Sequence, residues 1–571
     1  MEKRWTTNEK ASTELVSELS EKLNGLPSVL TELLIQRGIN SFDKAKEFFR
    51  PSLDQLHDPF LMRDMPEAVE RISIAIEKGE NILIYGDYDV DGTTSVALVY
   101  SFLNRIYDQL SYYIPDRYKE GYGISIQGID YAADNEISLI IALDCGIKAI
   151  DKISYAKEKG IDFIICDHHN PGEKIPEAVA VLDPKRKDCS YPYKELSGCG
   201  VGFKLMQALA QNKGIEDSQL WSLLDILAVS ICADIVPITG ENRVLCYYGL
   251  KKLNEDPLPA FRSMLKLAQV KKEWLNVTDV VFTLAPRINA AGRIESGMRA
   301  VELLLADDPE MLYTASKQID SHNSDRRELD QGITKEALQM IANDEALIKK
   351  KTTVLFKEDW HKGVIGIVAS RCIENYYRPT VILTESNGKL AGSARSVKGY
   401  DVYEALSQCE DVLEQFGGHK YAAGMTLMKE QLKGFQERFE EVVSASITEE
   451  LLTPEIHIDA ELNLSEINSK FYRILEQFAP FGPANMRPQF LTRSVTAKAS
   501  SAKIVGKGHL KCDIQDPEQV GVYYPAIGFG LGDKMELIRS GRAFDIVYSI
   551  EKNEWNGRVS LQLNLKDLKE I

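Results

Sequence analysis

Ile82-Leu-Ile-Tyr-Gly-Asp87-Tyr-Asp89-Val-Asp91-Gly92-Thr-Thr94 is the stretch on which the reading of the fold turns. An apolar run of strand character ends in carboxylates at alternate positions. A glycine and two hydroxyl residues then open the apolar-patterned segment 95–106. Strand, acidic turn and helix start, in that order, bring side chains to the carboxyl edge of a parallel sheet. Gly92 reads as the sharp turn into the helix. Three aspartates this close repel one another unless a cation or solvent intervenes. The stretch therefore predicts a divalent-metal site. An acidic surface loop with an Asx-type helix cap is the alternative it leaves open.

At 571 residues the chain has room for about three or four domains. Its 44% hydrophobic content and mean hydropathy of -0.22 belong to a soluble globular protein. No apolar run reaches the roughly 18 residues of a membrane helix. The longest, 223–236, is interrupted by Asp225 and Asp234. The charged N-terminal segment lacks an apolar core of the kind a secretory signal needs. Nine scattered cysteines without a CxxC pair argue against a disulfide framework or structural zinc. They point to core-filling thiols in a reducing cytoplasm. A net charge of -17 argues against non-specific nucleic-acid binding but leaves room for a local basic channel.

Outward from the opening stretch, strand and helix characters alternate through 76–308. Strand character falls at 81–85, 110–114, 138–143, 162–166 and 178–182, and helical patterns at 94–106 and 148–159. This predicts a mostly parallel sheet with both faces covered. Gly198-Cys-Gly-Val-Gly202 opens a helix and by itself signifies only a tight bend. Residues 1–75 read as a helical lead-in, with Leu30, Leu33, Leu34, Ile39, Phe48 and Phe49 packing onto the neighbouring α/β domain. Apolar residues at helical spacing amid dense charge predict a long, solvent-exposed connecting helix over 309–348. Residues 349–446 form a second α/β unit. From 450 to 571 β character rises, which predicts a small β-barrel of OB-fold type or a plain β-sandwich.

Two more strands end as the first does. Ser138-Leu-Ile-Ile-Ala-Leu143 leads into Asp144, and Asp162-Phe-Ile-Ile-Cys166 into Asp167-His168-His169; the helical run 223–232 leads to Asp234. Strand ends of one parallel sheet share an edge, so Asp87, Asp89, Asp91, Asp144, Asp167, His168 and His169 should converge there. Carboxylate oxygens with imidazole nitrogen suit Mn²⁺ or Mg²⁺ better than structural zinc. So many ligands suggest two ions sharing a carboxylate, an arrangement that assists in-line displacement at phosphorus.

Asp-Tyr-Asp-Val-Asp-Gly at 87–92, Leu-Asp-Cys-Gly at 143–146, Asp-His-His at 167–169 and Ala-Asp-Ile-Val-Pro at 233–237 resemble, in order, the four motifs of the DHH phosphoesterase superfamily. Pro-Arg-Ile-Asn-Ala-Ala-Gly-Arg at 286–293 resembles a signature of its RecJ family. Residues 360–371, Gly-Ser-Ala-Arg-Ser at 392–396 and Phe-Gly-Gly-His at 416–419 resemble the associated DHHA1 domain. Phe-Ala-Pro-Phe-Gly-Pro-Ala-Asn at 478–485 resembles the opening of the family's OB-fold. The resemblance covers nearly the whole chain. It implies an α/β protein with a parallel-sheet DHH domain (76–308), a connecting helix (309–348), a smaller α/β DHHA1 domain (349–446) and a C-terminal OB-fold barrel (450–571).

The implied activity is single-strand-specific 5′→3′ exonucleolysis of DNA to mononucleotides, in recombination and repair. The implied metal ligands are Asp89, Asp91, Asp144, His168 and Asp234, with Asp144 bridging two Mn²⁺ or Mg²⁺ ions. Asp87 and Asp167 would orient ligands, direct coordination by either being left open. His169 would face the scissile phosphate, and hydrolysis would pass through no covalent enzyme intermediate. Arg117, Ser393 and Arg395 match positions that contact a 5′-phosphate. Arg287, Asn289, Arg293, His361, Gly418 and His419 would line the strand path. Lys507 and Lys511 would track single strands on the barrel, a solvated lysine face being the plainer alternative. The implied protein is a cytoplasmic monomer working with single-strand-binding protein and a RecQ-like helicase, away from membranes. Other DHH phosphoesterases, acting on oligoribonucleotides or cyclic dinucleotides, and a non-catalytic strand-binding scaffold are the competing readings.

Overall fold

The computed structural model describes residues 2–294, 296–516, 519, 521–555 and 558–571, and the apolar run of the opening stretch is its strand Asn81–Gly86. This strand belongs to an all-parallel sheet in the order Leu110–Tyr113, Asn81–Gly86, Ile137–Leu143, Asp162–Cys166, Ala180–Leu182. Numbered along the chain the order is 2-1-3-4-5. The connections therefore diverge at a crevice between the carboxyl ends of Asn81–Gly86 and Ile137–Leu143. Alternation sorts the side chains. Ile82, Ile84, Leu139 and Ile141 face helices Val90–Leu103, Gly198–Lys213 and Leu224–Ala233. Leu83, Tyr85, Ile140 and Ala142 face Ile126–Asp134 and Ile150–Glu158.

The helix expected from Thr94 begins four residues earlier, at Val90, capped by the Asp89 carboxylate, which accepts the Gly92 N–H at 3.1 Å. Asp91 and Gly92 thus lie in its first turn. Gly92 does not have a positive φ. What it supplies is space, since a Cβ there would stand 2.2 Å from the Asp87 carbonyl oxygen.

The helix Pro309–Ala342, 34 residues and so about 50 Å long, joins this unit to the next. The helix expected to run unbroken to 348 stops at Asn343. Asp344 then accepts the N–H groups of Ala346 and Leu347 and starts a separate turn, Glu345–Ile348. The long helix is also less solvent-exposed than its charge suggests. Leu312 and Ile319 enter the core of the first unit, and Ile333, Ala337 and Ile341 that of the second. The second unit is a mixed sheet, Gln415–His419, Ala422–Leu427, Lys389–Arg395, Thr380–Ser386, Thr353–Phe356, with only the last pair parallel. Ile365–Asn375 covers one face and Leu432–Ser446 the other.

The C-terminal region is a barrel. Phe490–Ala497 pairs with Phe544–Trp555 and also with His509–Gln515, which closes a seven-stranded sheet on itself. The lead-in departs from the expected pattern in two ways. It opens with a strand, Arg4–Thr7, paired in parallel with Glu455–Ile458. Its apolar face packs on the barrel rather than on the adjoining α/β unit: Leu30, Leu33, Leu34 and Ile39 share a core with Leu464, Phe471 and Leu475. Phe48 and Phe49 both meet Phe478 edge-on at 5.4 Å.

Arg243 fastens the lead-in, first unit and barrel together. It is 5% exposed, lies over the Phe48 ring at 3.8 Å, and donates to the carbonyls of Phe48, Gln477, Phe478 and Ala479 at 2.8–3.4 Å. Arg243→Ala would leave several buried carbonyls unsatisfied, at a cost of about 3 kcal/mol. The expected outcome is a lower denaturant midpoint for the transition that undocks the barrel; an unchanged midpoint would contradict this role.

Candidate metal centre and strand cleft

At the crevice, ends of three strands and two helices bring acceptors together. His168 Nε2 stands 3.2 Å from Asp144 Oδ1, 3.5 Å from Asp234 Oδ2 and 3.8 Å from Asp91 Oδ2. Neither nitrogen of the His168 ring has a hydrogen-bond partner, and neither do Asp144 Oδ1 and Asp234 Oδ2. Burial, the largest influence, pulls His168 well below its ordinary pKa, so the ring is neutral and offers a lone pair. Burial and then the charge of Asp91 push Asp144 and Asp234 upward. Buried acceptors facing one another with no donor between them suit a cation. Asp91–His168–Asp234 and Asp144–His168–His169 each place one ligand atom per residue within 4.8 Å of the others.

Local structure fixes these groups. Asp144 holds φ +58°, a left-handed conformation that Asp tolerates better than most residues. Asp91 is held at the start of Gly198–Lys213. Its carboxylate accepts the Gly198 N–H at 2.6 Å, the Cys199 N–H at 2.9 Å and the Ser230 hydroxyl at 2.6 Å. The glycine-rich turn at 198–202 is thus part of the site, and Gly198 is glycine because a Cβ would come within 2.6 Å of Asp144 Cβ. The sequence showed that turn without showing what it grips, and Ser230 carried no signal.

Asp167 is otherwise employed. Its Oδ1 accepts the N–H groups of His168 and His169, and the His169 Nδ1 at 2.7 Å; its Oδ2 accepts the Ile147 N–H. Burial alone would raise this carboxyl, but the His169 bond and charge outweigh it and hold it at about 2. For His169 burial acts downward, and Asp167 more than offsets it. The His169 Nε2 faces the Tyr122 hydroxyl at 3.1 Å, a neighbour the sequence did not reveal. Asp87 accepts the Gly123 N–H through Oδ1 and leaves buried Oδ2 without a partner; burial and then Asp89 raise its pKa. Asp87 and Asp89 fall outside both tight groupings.

The second unit faces this cluster. The His419 ring lies parallel to that of His169, centroids 6.3 Å apart. Arg293 donates to the Gly363 carbonyl at 2.8 Å, and the Tyr118 hydroxyl to the Arg293 carbonyl at 2.6 Å. Gly418, at φ +145°, leaves no room for a Cβ against the Ala422 carbonyl. Arg117 lies over Tyr88 at 4.8 Å, and Arg395 donates to Ser393 Oγ and the Ala394 carbonyl. Among the described residues no carboxylate pairs with Arg117, Arg293 or Arg395. Burial first, and then their mutual repulsion, lower Arg395 and bring Arg293 to about 10. Unbalanced guanidiniums in a cleft are a site for an anion. His361 is half-buried beside Gly363, whose N–H its Nδ1 accepts. Arg287 is bound to Asp320 at 2.8–2.9 Å, and Asn289 shares its helix, Ala285–Ile294. Lys507 and Lys511 lie on the barrel, where Lys511 is directly opposite Lys503 across the strands. Such like-charge pairs are unfavourable without an anion.

The chain matches models of the DHH family N-terminal domain over residues 81–231, the DHHA1 domain over 348–445 and the RecJ OB domain over 458–567. It is 36% identical to the single-stranded-DNA-specific exonuclease RecJ of Bacillus subtilis, across 99% of this chain and 70% of that protein. It is 32% identical to the protein of the same name from Salmonella typhimurium, across 96% of this chain and 97% of that one. The crystal structure of Thermus thermophilus RecJ in complex with Mn²⁺ superposes with a TM-score of 0.85 at 25% identity, covering 100% of this chain and 80% of that one.

The packing of Gly198 against Asp144 yields a direct test. Gly198→Ala should lower any metal-dependent turnover about a hundredfold with the circular dichroism unchanged. Gly200→Ala, whose Cβ would meet nothing nearer than 3.4 Å, is the matched control. Equal activity of the two variants would contradict the assignment.

Proposed function

Because the chain belongs to the RecJ family of DHH phosphoesterases, we propose that it is a single-strand-specific 5′→3′ DNA exonuclease, releasing mononucleotides in DNA recombination and repair. The observation that carries this reading is the pairing of two opposite sites across one cleft. Donor-free buried acceptors lie on the first unit, and carboxylate-free guanidiniums line the facing wall.

Asp91, Asp144, His168 and Asp234, with Asp89 beside them, would hold two Mn²⁺ or Mg²⁺ ions. When bound, these supply charge neutralisation at phosphorus and an activated water. The side chains perform the remaining tasks. Asp167 keeps His169 protonated and oriented, so that Nε2–H can donate to a non-bridging oxygen of the scissile phosphate. Arg117, Ser393 and Arg395 grip the terminal 5′-phosphate with fork-like donors. Hydrolysis breaks the bond between phosphorus and the 3′-oxygen of the terminal nucleotide. The shortened strand then carries a fresh 5′-phosphate, the group the pocket recognises, so the chemistry regenerates its own substrate. Arg293, His361, Gly418 and His419 line the approach, with Arg287 and Asn289 supporting it. Lys507 and Lys511 guide the strand from the barrel. A cleft that admits one strand excludes duplex by size.

The working units on this reading remain 76–308, 309–348, 349–446 and 450–571. The protein acts as a monomer in the cytoplasm, with single-strand-binding protein and a RecQ-like helicase as partners; family membership is the support for these points.

Asp144→Ala should reduce nucleolysis by at least about a hundredfold while single-strand affinity changes little; near-normal turnover with Mn²⁺ would contradict the reading. Arg395→Ala should remove most of the preference for 5′-phosphorylated over 5′-hydroxyl strands, measured as the ratio of kcat/KM values. An unchanged ratio would reject its role.

A further inference from the structure

The helix Pro309–Ala342 is fastened to both units by acid–arginine pairs. Asp320 holds Arg287 at 2.8–2.9 Å, and Asp330 holds Arg371 at 2.9–3.0 Å. Arg326 stands between the two fasteners, about 9 Å along the helix from Asp320 and about 6 Å from Asp330. It pairs with neither. Among the described residues no carboxylate lies within ion-pair distance of Arg326, and its buried Nε has no hydrogen-bond partner. One turn earlier on the same face, Asn323 is 3% exposed and its Oδ1 also has no partner. Leaving two such groups unsatisfied is costly, which points to a ligand as their partner.

The helix packs against Ala285–Ile294, which carries Arg293. After burial, the charges of Arg117, Arg326 and Arg395 are what depress Arg293, so the four guanidiniums form one electrostatic cluster. A terminal phosphomonoester carries roughly −1.5 to −2 charges at neutral pH. Arg117 and Arg395 already balance it. The scissile phosphodiester is met by the acidic cluster and His169, so it does not account for the two remaining cations either.

We infer that Arg326, Asn323 and Arg293 form a second anion subsite adjoining the terminal-phosphate pocket, and that it takes the outer phosphates of a strand whose 5′ end is di- or triphosphorylated. The inference rests on the end pocket proposed above. The reaction on such an end is unchanged. Water adds its oxygen to the scissile phosphorus, the bond to the 3′-oxygen breaks and that oxygen takes a proton. The first product is then a nucleoside 5′-di- or triphosphate with a 3′-hydroxyl, and every later product is a monophosphate.

The test uses the full chain with Mn²⁺ and one single-stranded oligodeoxynucleotide carrying a 5′-hydroxyl, a 5′-monophosphate or a 5′-triphosphate. The readout is the KM for release of the first nucleotide. The wild type should show a KM about fivefold lower for the triphosphate than for the monophosphate. Arg326→Gln should bring that ratio to about one while a monophosphate-over-hydroxyl preference persists, and Arg326→Lys should restore much of it. The inference is overturned by a wild type that handles the triphosphate no better than the monophosphate, or by a ratio that survives in Arg326→Gln. It is equally overturned if Arg326→Gln erases both preferences together, which would make Arg326 part of a single pocket. A wild type without any monophosphate-over-hydroxyl preference sinks the end pocket itself, and the outer subsite with it.

Discussion

Asp91, Asp144 and Asp234 all aim oxygen at one neutral imidazole nitrogen, that of His168, and the rest of the architecture serves to hold these groups together. Like charges in a buried space disperse or protonate unless something opposes them. The fold opposes them by rigidity. Asp91 is clamped by two backbone N–H groups and a hydroxyl, and Asp144 is fixed by a left-handed backbone packed against Gly198. The 2-1-3-4-5 strand order puts the crevice where these ends meet. The arrangement is pre-organised for divalent cations, and donor-free acceptors are its signature.

The facing wall has the opposite electrostatics. Its arginines lack carboxylate partners among the described residues, so the cleft is acidic at the chemistry and basic at the end-recognition pocket, although the chain as a whole carries a net charge of -17. Local field therefore decides what binds, and overall charge does not. The long helix keeps the two walls in register through Asp320–Arg287 on one side and Asp330–Arg371 on the other. Arg243 performs the corresponding task for the barrel, by satisfying carbonyls of both the lead-in and the segment 477–479.

Much of this was legible in the sequence because strand periodicity and strand-end acids are local signals. Asp144, His168 and Asp234 could be placed together from their positions after apolar runs. The barrel and the second α/β unit could be recognised from β character and motifs. The hidden features depended on contacts between distant segments. The helix at Val90 starts early because Asp89 caps it, so the division of Asp87, Asp89 and Asp91 into roles rests on hydrogen bonds that spacing cannot specify. Gly198 looked like a bend because its neighbour, Asp144, is remote in sequence. The apolar face of the lead-in was visible, but its partner, the barrel, lies at the other end of the chain.

The central claim is that one cleft couples a divalent-metal centre to recognition of a single-stranded 5′ end. It is tested most directly by digesting a single strand labelled at either its 5′ or its 3′ end, beside the same strand in blunt duplex, with Mn²⁺ and then with excess chelator. The account predicts immediate release of 5′ label as mononucleotide, delayed release of 3′ label, little attack on duplex, and arrest by chelator. Prompt release of 3′ label, equal digestion of duplex, or activity that survives the chelator would contradict it.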